Sequence, residues 1–310
     1  MRIVISEFMD EAAVATLAAH HATEYDAGLV DRREELKAKL IDADALIVRN
    51  RTQVNAELLA AAPRLRVVGR LGVGLDNIDV AACAARGIAV IPATGANALA
   101  VAEYVIGVTM VLLRGAYFAT AEVAAGKWPR GALSSGREIA GKTLGIVGFG
   151  GIGRLTGRLG RALGMRVIGF DAELAPDDAV WRDEGVEPRT LEALLSQSDV
   201  LTLHVPLLPA TRNLIDARRI AAMKPGAILV NTARGGVVDE AAVAAALSSG
   251  RLGGAALDVF EKEPLPAANP LAGGRNLILT PHIAGVTAES NERVSSMIAE
   301  KVIEALASRA

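Results

Sequence analysis

Residues 143–153 read Thr143-Leu144-Gly145-Ile146-Val147-Gly148-Phe149-Gly150-Gly151-Ile152-Gly153. A short aliphatic run enters a glycine turn, and helical periodicity begins on the other side. In this setting Gly148 permits a tight turn and Gly150 lets backbone N–H groups approach a pyrophosphate, while Gly153 allows close packing of helix on strand. Gly151 and Ile152 complete the loop, and the helix N-terminus offers oriented donors and a positive dipole end to the phosphates. The next strand ends at Asp171, 23 residues after Gly148. A carboxylate there accepts hydrogen bonds from ribose hydroxyls and repels a 2′-phosphate. No Lys or Arg follows in residues 172–178, so NAD is expected in preference to NADP. A packing turn and an ordinary loop acid are the plainer alternatives for the glycines and for Asp171.

Working outward, short apolar runs alternate with amphipathic ones along the chain. This is the signature of parallel sheets with crossover helices, and an α/β fold is predicted. In the first half, residues 3–5, 45–49, 67–69 and 89–91 read as strands, and residues 10–20, 55–61 and 80–85 as helices. The charge-rich stretch 31–39 reads as a solvated helix face, with Glu35 and Lys39 as an i,i+4 pair. A long apolar helix over 98–114 follows. After a loop near 128–136 the alternation restarts, with strands expected at 143–147, 166–170, 200–204, 227–231, 255–259 and 277–280.

Two Rossmann- or flavodoxin-like parallel-sheet domains with a cleft between them are therefore expected. The helical segment after Gly285 is too short to form a domain and must dock on one. Returning it to the first unit predicts a discontinuous substrate domain, 1–97 plus 287–310, around an NAD-binding domain at 98–286.

The chain has 310 residues, of which 51% are hydrophobic, enough apolar surface for two cores. Its formal net charge is −2 and it shows no basic tract, so no nucleic-acid partner is expected. The N-terminus reads as a first strand and helix, not as a signal peptide. The stretch 98–113 contains Glu103 and is too short for a membrane span. Cys83 is the only cysteine and lies in a helical run, as a small apolar residue or as a reactive thiol. No His/Cys/Asp cluster has ligand spacing, so no metal is expected. A cytoplasmic location is the default expectation.

Hydride transfer to a 2-oxo acid needs a cation for the carboxylate and carbonyl, an acid for the nascent alkoxide, and a group that keeps that acid suitably charged. Arginine, histidine and a carboxylate suit these roles. Of the four histidines, His20 and His21 end a surface helix. His204 ends a strand, where it makes a strand-end hydrogen bond or borders the cofactor. His282 follows the last strand of the nucleotide unit, and ligands of open α/β sheets gather at strand carboxyl ends. Arg234, before two glycines, and Glu263, after the strand around 255–259, also sit at strand ends.

The strings GFGGIG (148–153), NTARGGVVDE (231–240), GAALDVFEKEPL (254–265) and LTPHIAG (279–285) closely resemble the D-2-hydroxyacid dehydrogenase family, over almost the whole chain. The resemblance implies that Arg234 binds and polarises the substrate, that Glu263 supports the histidine, and that His282 donates and accepts the proton. Glu261 is the other acid nearby, but Glu263 holds the matching place before the proline. Asp258 matches the position that holds the nicotinamide carboxamide. Thr232, Ala233 and Arg234 line the cofactor, and His204, Val205, Pro206, Thr211, His282 and Gly285 join the cofactor-binding candidates. Substrate loops are implied at 48–52 and 72–77, with Arg49, Arg51, Val73 and Gly74 as contacts; either arginine is equally readable as a surface residue. Asn97 and Glu103 resemble a hinge motif.

Substrate candidates are (S)-sulfolactate, 3-phosphoglycerate, and glyoxylate or hydroxypyruvate. A distal anion would need a second cation, from Arg49, Arg51 or Arg70. Formate dehydrogenases of the superfamily carry Gln at the position of Glu263, which argues against formate. Phosphoglycerate dehydrogenases often carry a C-terminal regulatory domain; this chain stops at the docking helix, so serine feedback through such a domain is not expected. The resemblance also implies a homodimer through the NAD-binding domain, consistent with the strongly apolar helix at 98–114, and Trp128 is a packing or surface residue or reaches the partner. An NAD(H)-sensing interaction protein, like the C-terminal binding protein co-repressors of the same fold, is the alternative class.

Overall fold

The computed structural model describes residues 1–308. The chain forms two compact units, one from Met1–Asn97 with the segment from Val286 onward, the other from Ala98–Gly285.

The first unit runs β1 (Arg2–Ile5), α1 (Glu11–His20), β2 (Ala22–Tyr25), α2 (Arg33–Leu40), β3 (Ala45–Val48), α3 (Ala56–Ala60), β4 (Val67–Arg70), α4 (Val80–Ala85) and β5 (Ala89–Pro92). Its five strands are all parallel, in the order β2-β1-β3-β4-β5. Every residue of β3 is buried, as expected of a central parallel strand covered on both faces. Side-chain caps start the helices, Asp10 on α1 and Asn55 on α3. The terminal helix (Ala288–Ala307) starts with a capping box of Thr287 and Ser290. Its Val294, Ile298, Val302 and Leu306 join Ile3, Ile5, Leu17 and Val67 in one core.

The second unit opens with α5 (Ala98–Arg114) and α6 (Thr120–Ala124), then β6 (Thr143–Val147), α7 (Gly151–Ala162), β7 (Arg166–Phe170), α8 (Ala179–Asp183), β8 (Glu187–Pro188), α9 (Leu191–Gln197) and β9 (Val200–Leu203). It continues with α10 (Ala217–Ala222), β10 (Ala227–Asn231), α11 (Glu240–Ser248), β11 (Leu252–Leu257) and β12 (Leu277–Leu279); the terminal helix is thus α12. The seven strands are parallel in the order β12-β11-β10-β9-β6-β7-β8. The strand order reverses beside β6, between β7 and β9, which makes the β6/β9 carboxyl ends the place where such sheets bind ligands. The architecture is therefore α/β with two all-parallel sheets.

Two edge strands, β2 and β8, are additions to the sequence reading, and β11 begins at Leu252, three residues before the predicted start. Among the described residues no single helix is long and apolar enough to cross a membrane; α5 and the helical stretch Ala116–Ala124 pass only as a pair bent by 68°. One face of α5 is buried against the sheet, with Val105, Val108, Leu112 and Leu113 in the core around Ile146 and Val230. Cys83 is buried, and burial raises its thiol pKa, which leaves it the small apolar residue of the two readings.

Candidate active site

The glycine turn after β6 is built by steric necessity. Gly148 has φ +91°, and a Cβ there would lie 2.4 Å from the carbonyl oxygen of His204 at the end of β9. A Cβ on Gly153 would lie 2.2 Å from the Gly148 carbonyl, so only glycine brings α7 this close to its strand. Phe149 drops its ring into the core, stacked on Trp181 at 4.6 Å between centroids, and turns its backbone outward. Gly150 caps α7 without a side chain, and open space lies where Cβ atoms of Gly150 and Gly151 would be. Ile152 follows in the first turn of α7, whose leading N–H groups have no acceptor within the helix. The result is an open cradle with donors aimed into it.

Asp171 sits at the end of β7. Its carboxylate accepts the Phe149 N–H at 2.7 Å and the Glu173 N–H at 2.9 Å, so it also holds the glycine turn in place. Across the switch point, His204 Nε2 lies 3.1 Å from Thr202 Oγ1, the strand-end hydrogen bond of the two sequence readings. Burial pushes its imidazole pKa down to about 3, so it is neutral at ordinary pH. Val205 packs against the Gly148 turn, and Thr211 braces the following loop by donating to the Pro206 carbonyl at 2.6 Å and accepting from the Leu208 N–H at 2.7 Å. Thr232 Oγ1 is buried and has no partner among the described residues. An unsatisfied buried hydroxyl, a sterically enforced cradle and a carboxylate at the end of β7 fit an NAD dinucleotide.

The three chemical candidates follow adjacent strands. Asn231, the last residue of β10, is buried and organises the turn after it. Its side-chain oxygen accepts the Ala233 N–H at 3.0 Å and its nitrogen donates to the Arg234 carbonyl at 3.0 Å. Arg234 then donates from Nη1 to the Ala233 carbonyl at 2.6 Å. A Cβ on Gly235 would lie 1.7 Å from the Phe260 carbonyl oxygen, so this turn touches the backbone of the segment after β11. In that segment Glu263 Oε1 accepts the Phe260 N–H at 3.0 Å, which fixes the carboxylate. Its other oxygen lies 2.9 Å from His282 Nδ1. Glu261 instead pairs with Arg212, at 3.5 Å.

His282 is held on three sides. Its N–H donates to the Asp258 carbonyl at 2.8 Å, its ring meets Glu263, and its backbone sits at φ +56°, a region that L side chains seldom adopt. The Asp258 carboxylate, 1% exposed, accepts the Thr280 hydroxyl at 2.6 Å and the Ile283 and Ala284 N–H groups at 2.8 Å each. Tyr104 on α5 extends the chain, its hydroxyl 2.6 Å from Thr280 Oγ1. Gly285 closes the loop. Asn231, Tyr104 and Thr280 are supports that sequence reasoning missed; only their places beside the motifs hinted at them.

In the first unit the loops at 48–52 and 72–77 are joined by Asn77, whose side-chain nitrogen donates to the carbonyls of Arg49 at 3.3 Å and Thr52 at 2.8 Å. Arg49 is half-buried and its guanidinium donates to Asn291 Oδ1 at 2.9 Å, with no carboxylate within 4.0 Å of that guanidinium among the described residues. Arg51 is exposed and neutralised by Asp31. Arg70 donates to the carbonyls of Gly74 at 2.9 Å and Leu71 at 2.7 Å, and so shapes its own loop. Among the described residues the N–H groups of Val73 and Gly74 have no internal acceptor.

Comparison with known proteins agrees with this arrangement. Residues 106–284 match the family described as D-isomer specific 2-hydroxyacid dehydrogenase, NAD binding domain. The (S)-sulfolactate dehydrogenase of Chromohalobacter salexigens is 55% identical, over 99% of both chains. The D-3-phosphoglycerate dehydrogenase of Methanocaldococcus jannaschii is 40% identical over 99% of this chain, which spans only 57% of that protein. The crystal structure of the TT0316 protein from Thermus thermophilus superposes with a TM-score of 0.90 at 33% identity, over 99% of this chain and 97% of that one. The chain belongs to the D-isomer specific 2-hydroxyacid dehydrogenases, a family of NAD-dependent oxidoreductases.

Proposed function

We propose that this chain interconverts a small D-type 2-hydroxy acid and its 2-oxo acid, with Arg234, Glu263 and His282 as the catalytic set and a substrate that carries a second, distal anion. The observation that carries the chemistry is the 2.9 Å contact between His282 Nδ1 and a Glu263 carboxylate already fixed by the Phe260 N–H. With Nδ1–H given to Glu263, Nε2 is left to hand a proton to the substrate oxygen or take one from it. Glu263 stabilises the charged imidazole, and Arg234 pairs with the acid's carboxylate and polarises the oxygen at C2. NAD supplies the hydride acceptor in one direction and, reduced, the donor in the other. In this reading the cradle at 148–153, Asp171, His204–Pro206, Thr211, Thr232–Arg234, Asp258 and Gly285 hold the cofactor. The units act as NAD-binding domain and substrate domain.

The distal anion is supported by the contrast among three arginines. Arg51 is neutralised, Arg70 is spent on its own loop, and Arg49 is a half-buried cation bonded to a neutral amide. The unengaged N–H groups of Val73 and Gly74 suit the substrate carboxylate. (S)-Sulfolactate is the foremost candidate, given the 55% identity to an (S)-sulfolactate dehydrogenase. Sulfur on C3 outranks the carboxyl in priority, so the D-type arrangement of this acid takes the label S. The test is NADH oxidation against 3-sulfopyruvate, 3-phosphohydroxypyruvate, hydroxypyruvate and glyoxylate. Sulfopyruvate should have the highest kcat/KM, and Arg49→Ala should erase its advantage over glyoxylate. His282→Ala should lower kcat at least ~100-fold with NADH binding kept. No activity on any of these acids, or equal turnover by His282→Ala, would end the proposal.

The same reading includes a homodimer through the second unit. Leu99 and Met110 on α5, and Tyr117, Phe118, Val123 and Trp128 after it, are large apolar side chains left exposed.

A further inference from the structure

The first unit contains a buried carboxylate that the chemistry above does not use. Glu7 lies just after β1 and is 4% exposed. Its Oε1 accepts the N–H groups of Arg49 and Thr52, both at 2.9 Å, and its Oε2 those of Asn50 at 3.3 Å and Arg51 at 3.1 Å. Four consecutive backbone donors, the kind of array that elsewhere forms an anion-binding nest, are thus occupied by the protein's own carboxylate. The neighbours of Glu7 address the same loop. Ser6 Oγ lies 3.0 Å from Thr52 Oγ1, and the Phe8 ring has the Arg49 guanidinium 5.7 Å from its centroid. Asn77 grips the loop from its carbonyl side.

Two consequences follow. The N–H groups of 49–52 are not available to a ligand, so anion recognition by this loop falls to the Arg49 side chain. That side chain is held by three neutral or indirect contacts: a backbone pinned by Glu7, a ring face from Phe8 and an amide oxygen from Asn291. Burial lowers the Arg49 pKa and the nearby Glu7 charge raises it, so the carboxylate offsets part of the desolvation of a half-buried guanidinium without pairing with it directly.

We infer that Ser6-Glu7-Phe8 is a positioning element, with Glu7 its chief member, that presents Arg49 to the distal anion of the substrate and so sets the preference for acids that carry one. The inference rests on the distal-anion reading of Arg49. Glu7→Gln retains the size of the side chain but replaces one acceptor oxygen by an NH₂ donor, leaving two of the four N–H groups facing a nitrogen that cannot accept from them. In this variant, amide exchange at 49–52 should accelerate at least ~10-fold. KM for 3-sulfopyruvate should rise at least ~10-fold, with kcat and the KM for glyoxylate within about twofold. Phe8→Leu, which leaves the clamp intact, should raise the sulfopyruvate KM by about two- to fivefold alone. It decides the matter if Glu7→Gln does not fold. Exchange as slow as in the wild type, or an unchanged ratio of the two KM values in folded variants, would overturn the role of Glu7. Arg49→Ala separates the two layers. If it raises both KM values equally, the distal-anion reading fails, whatever the exchange data say about Glu7.

Discussion

Replacing Gly235 by alanine should disable the enzyme while leaving it folded. A Cβ at this position would lie 1.7 Å from the Phe260 carbonyl oxygen, 2.0 Å from its carbon and 2.6 Å from the Glu261 nitrogen, all backbone atoms. Ordinary contact begins at 3.4 Å, so the turn that carries Arg234 and the segment that anchors Glu263 must part by 3.4 − 1.7 = 1.7 Å. Overpacking of this kind costs about 1–3 kcal/mol in stability. In a unit of this size that is a fall in Tm of roughly 2–12 °C. Catalysis is more sensitive, since a misplacement of about 1 Å costs on the order of 100-fold in rate. We therefore expect kcat/KM to fall at least ~100-fold at 15 °C, where the variant remains native by circular dichroism. Gly273→Ala is the control, because Gly273 has φ +77° and a Cβ added there would meet no atom within 4 Å. It should lose about 1–2 kcal/mol of stability to backbone strain and no activity. Turnover by Gly235→Ala within threefold of wild type would refute the reasoning. So would an equal loss in Gly273→Ala, which would make the effect one of stability alone.

Other measurements test separate links. His204 has its folded pKa lowered by burial to about 3, so the unfolded chain binds a proton that the native chain refuses as pH falls from about 6.5 toward 3. Between pH 7 and pH 5, the upper part of that window, wild-type stability should drop by about 2 kcal/mol more than that of His204→Asn, measured by urea unfolding. Arg158 donates from Nε to Glu184 at 2.7 Å, and this bond holds the nearly buried carboxyl below its usual pKa. Arg158→Ala should lower stability at pH 7, and the difference should shrink as pH falls through the acid range below the ordinary carboxylate value of 4.5 and the carboxylate protonates, measured by urea unfolding. Gly107 is exposed on α5, on the same side as Leu99 and Met110, with open space where a Cβ would be. If a second copy covers this face, Gly107→Ala should weaken dimerisation at least ~10-fold by sedimentation; an intact dimer with Tm raised by the better helix former would refute that placement.

The alternation of strands and helices was legible because parallel strands buried on both faces must be largely apolar, as β3 is throughout and β10 is up to Asn231. The two strands that escaped notice are edges. β2 includes Thr23 and Glu24, and β8 is only Glu187-Pro188; both owe their extension to one neighbour and not to any pattern of their own. The start of β11 was hidden by Gly253 and Gly254, which look like a loop. Side chains there would strike the Gly226 carbonyl and Asn276, so the strand is glycine because its neighbours are close. The expectations for Arg234, Glu263 and His282 came from strand ends and from family motifs, and these residues do lie after β10, β11 and β12. Their supports act across the chain: Tyr104 meets Thr280 at a separation of 176 residues, and no local pattern encodes such a pair.

The acids of this protein make the same point from the side of chemistry. Glu7, Asp171 and Asp258 all follow strands, and each spends its carboxylate on backbone N–H groups of a neighbouring loop. Glu263 differs in degree: one oxygen takes a backbone N–H and the other faces an imidazole. Spacing and motifs give three of these four acids separate expectations, but no residue pattern shows how each carboxylate is used by the backbone around it. What separates them is how many acceptor sites remain after the backbone has been satisfied, since a carboxylate that already accepts three or four N–H or O–H donors has little left for a proton in transit. By that measure Glu7 and Asp258 set loop geometry, Asp171 does so with only two N–H groups and keeps lone pairs open, and Glu263 alone of the four has an oxygen facing a titratable partner. Substituting Asp258 by Asn should therefore act through the His282 loop, lowering kcat together with the exchange protection of Ile283 and Ala284. A loss of kcat with that protection intact would assign Asp258 a direct part in the chemistry and break the ordering.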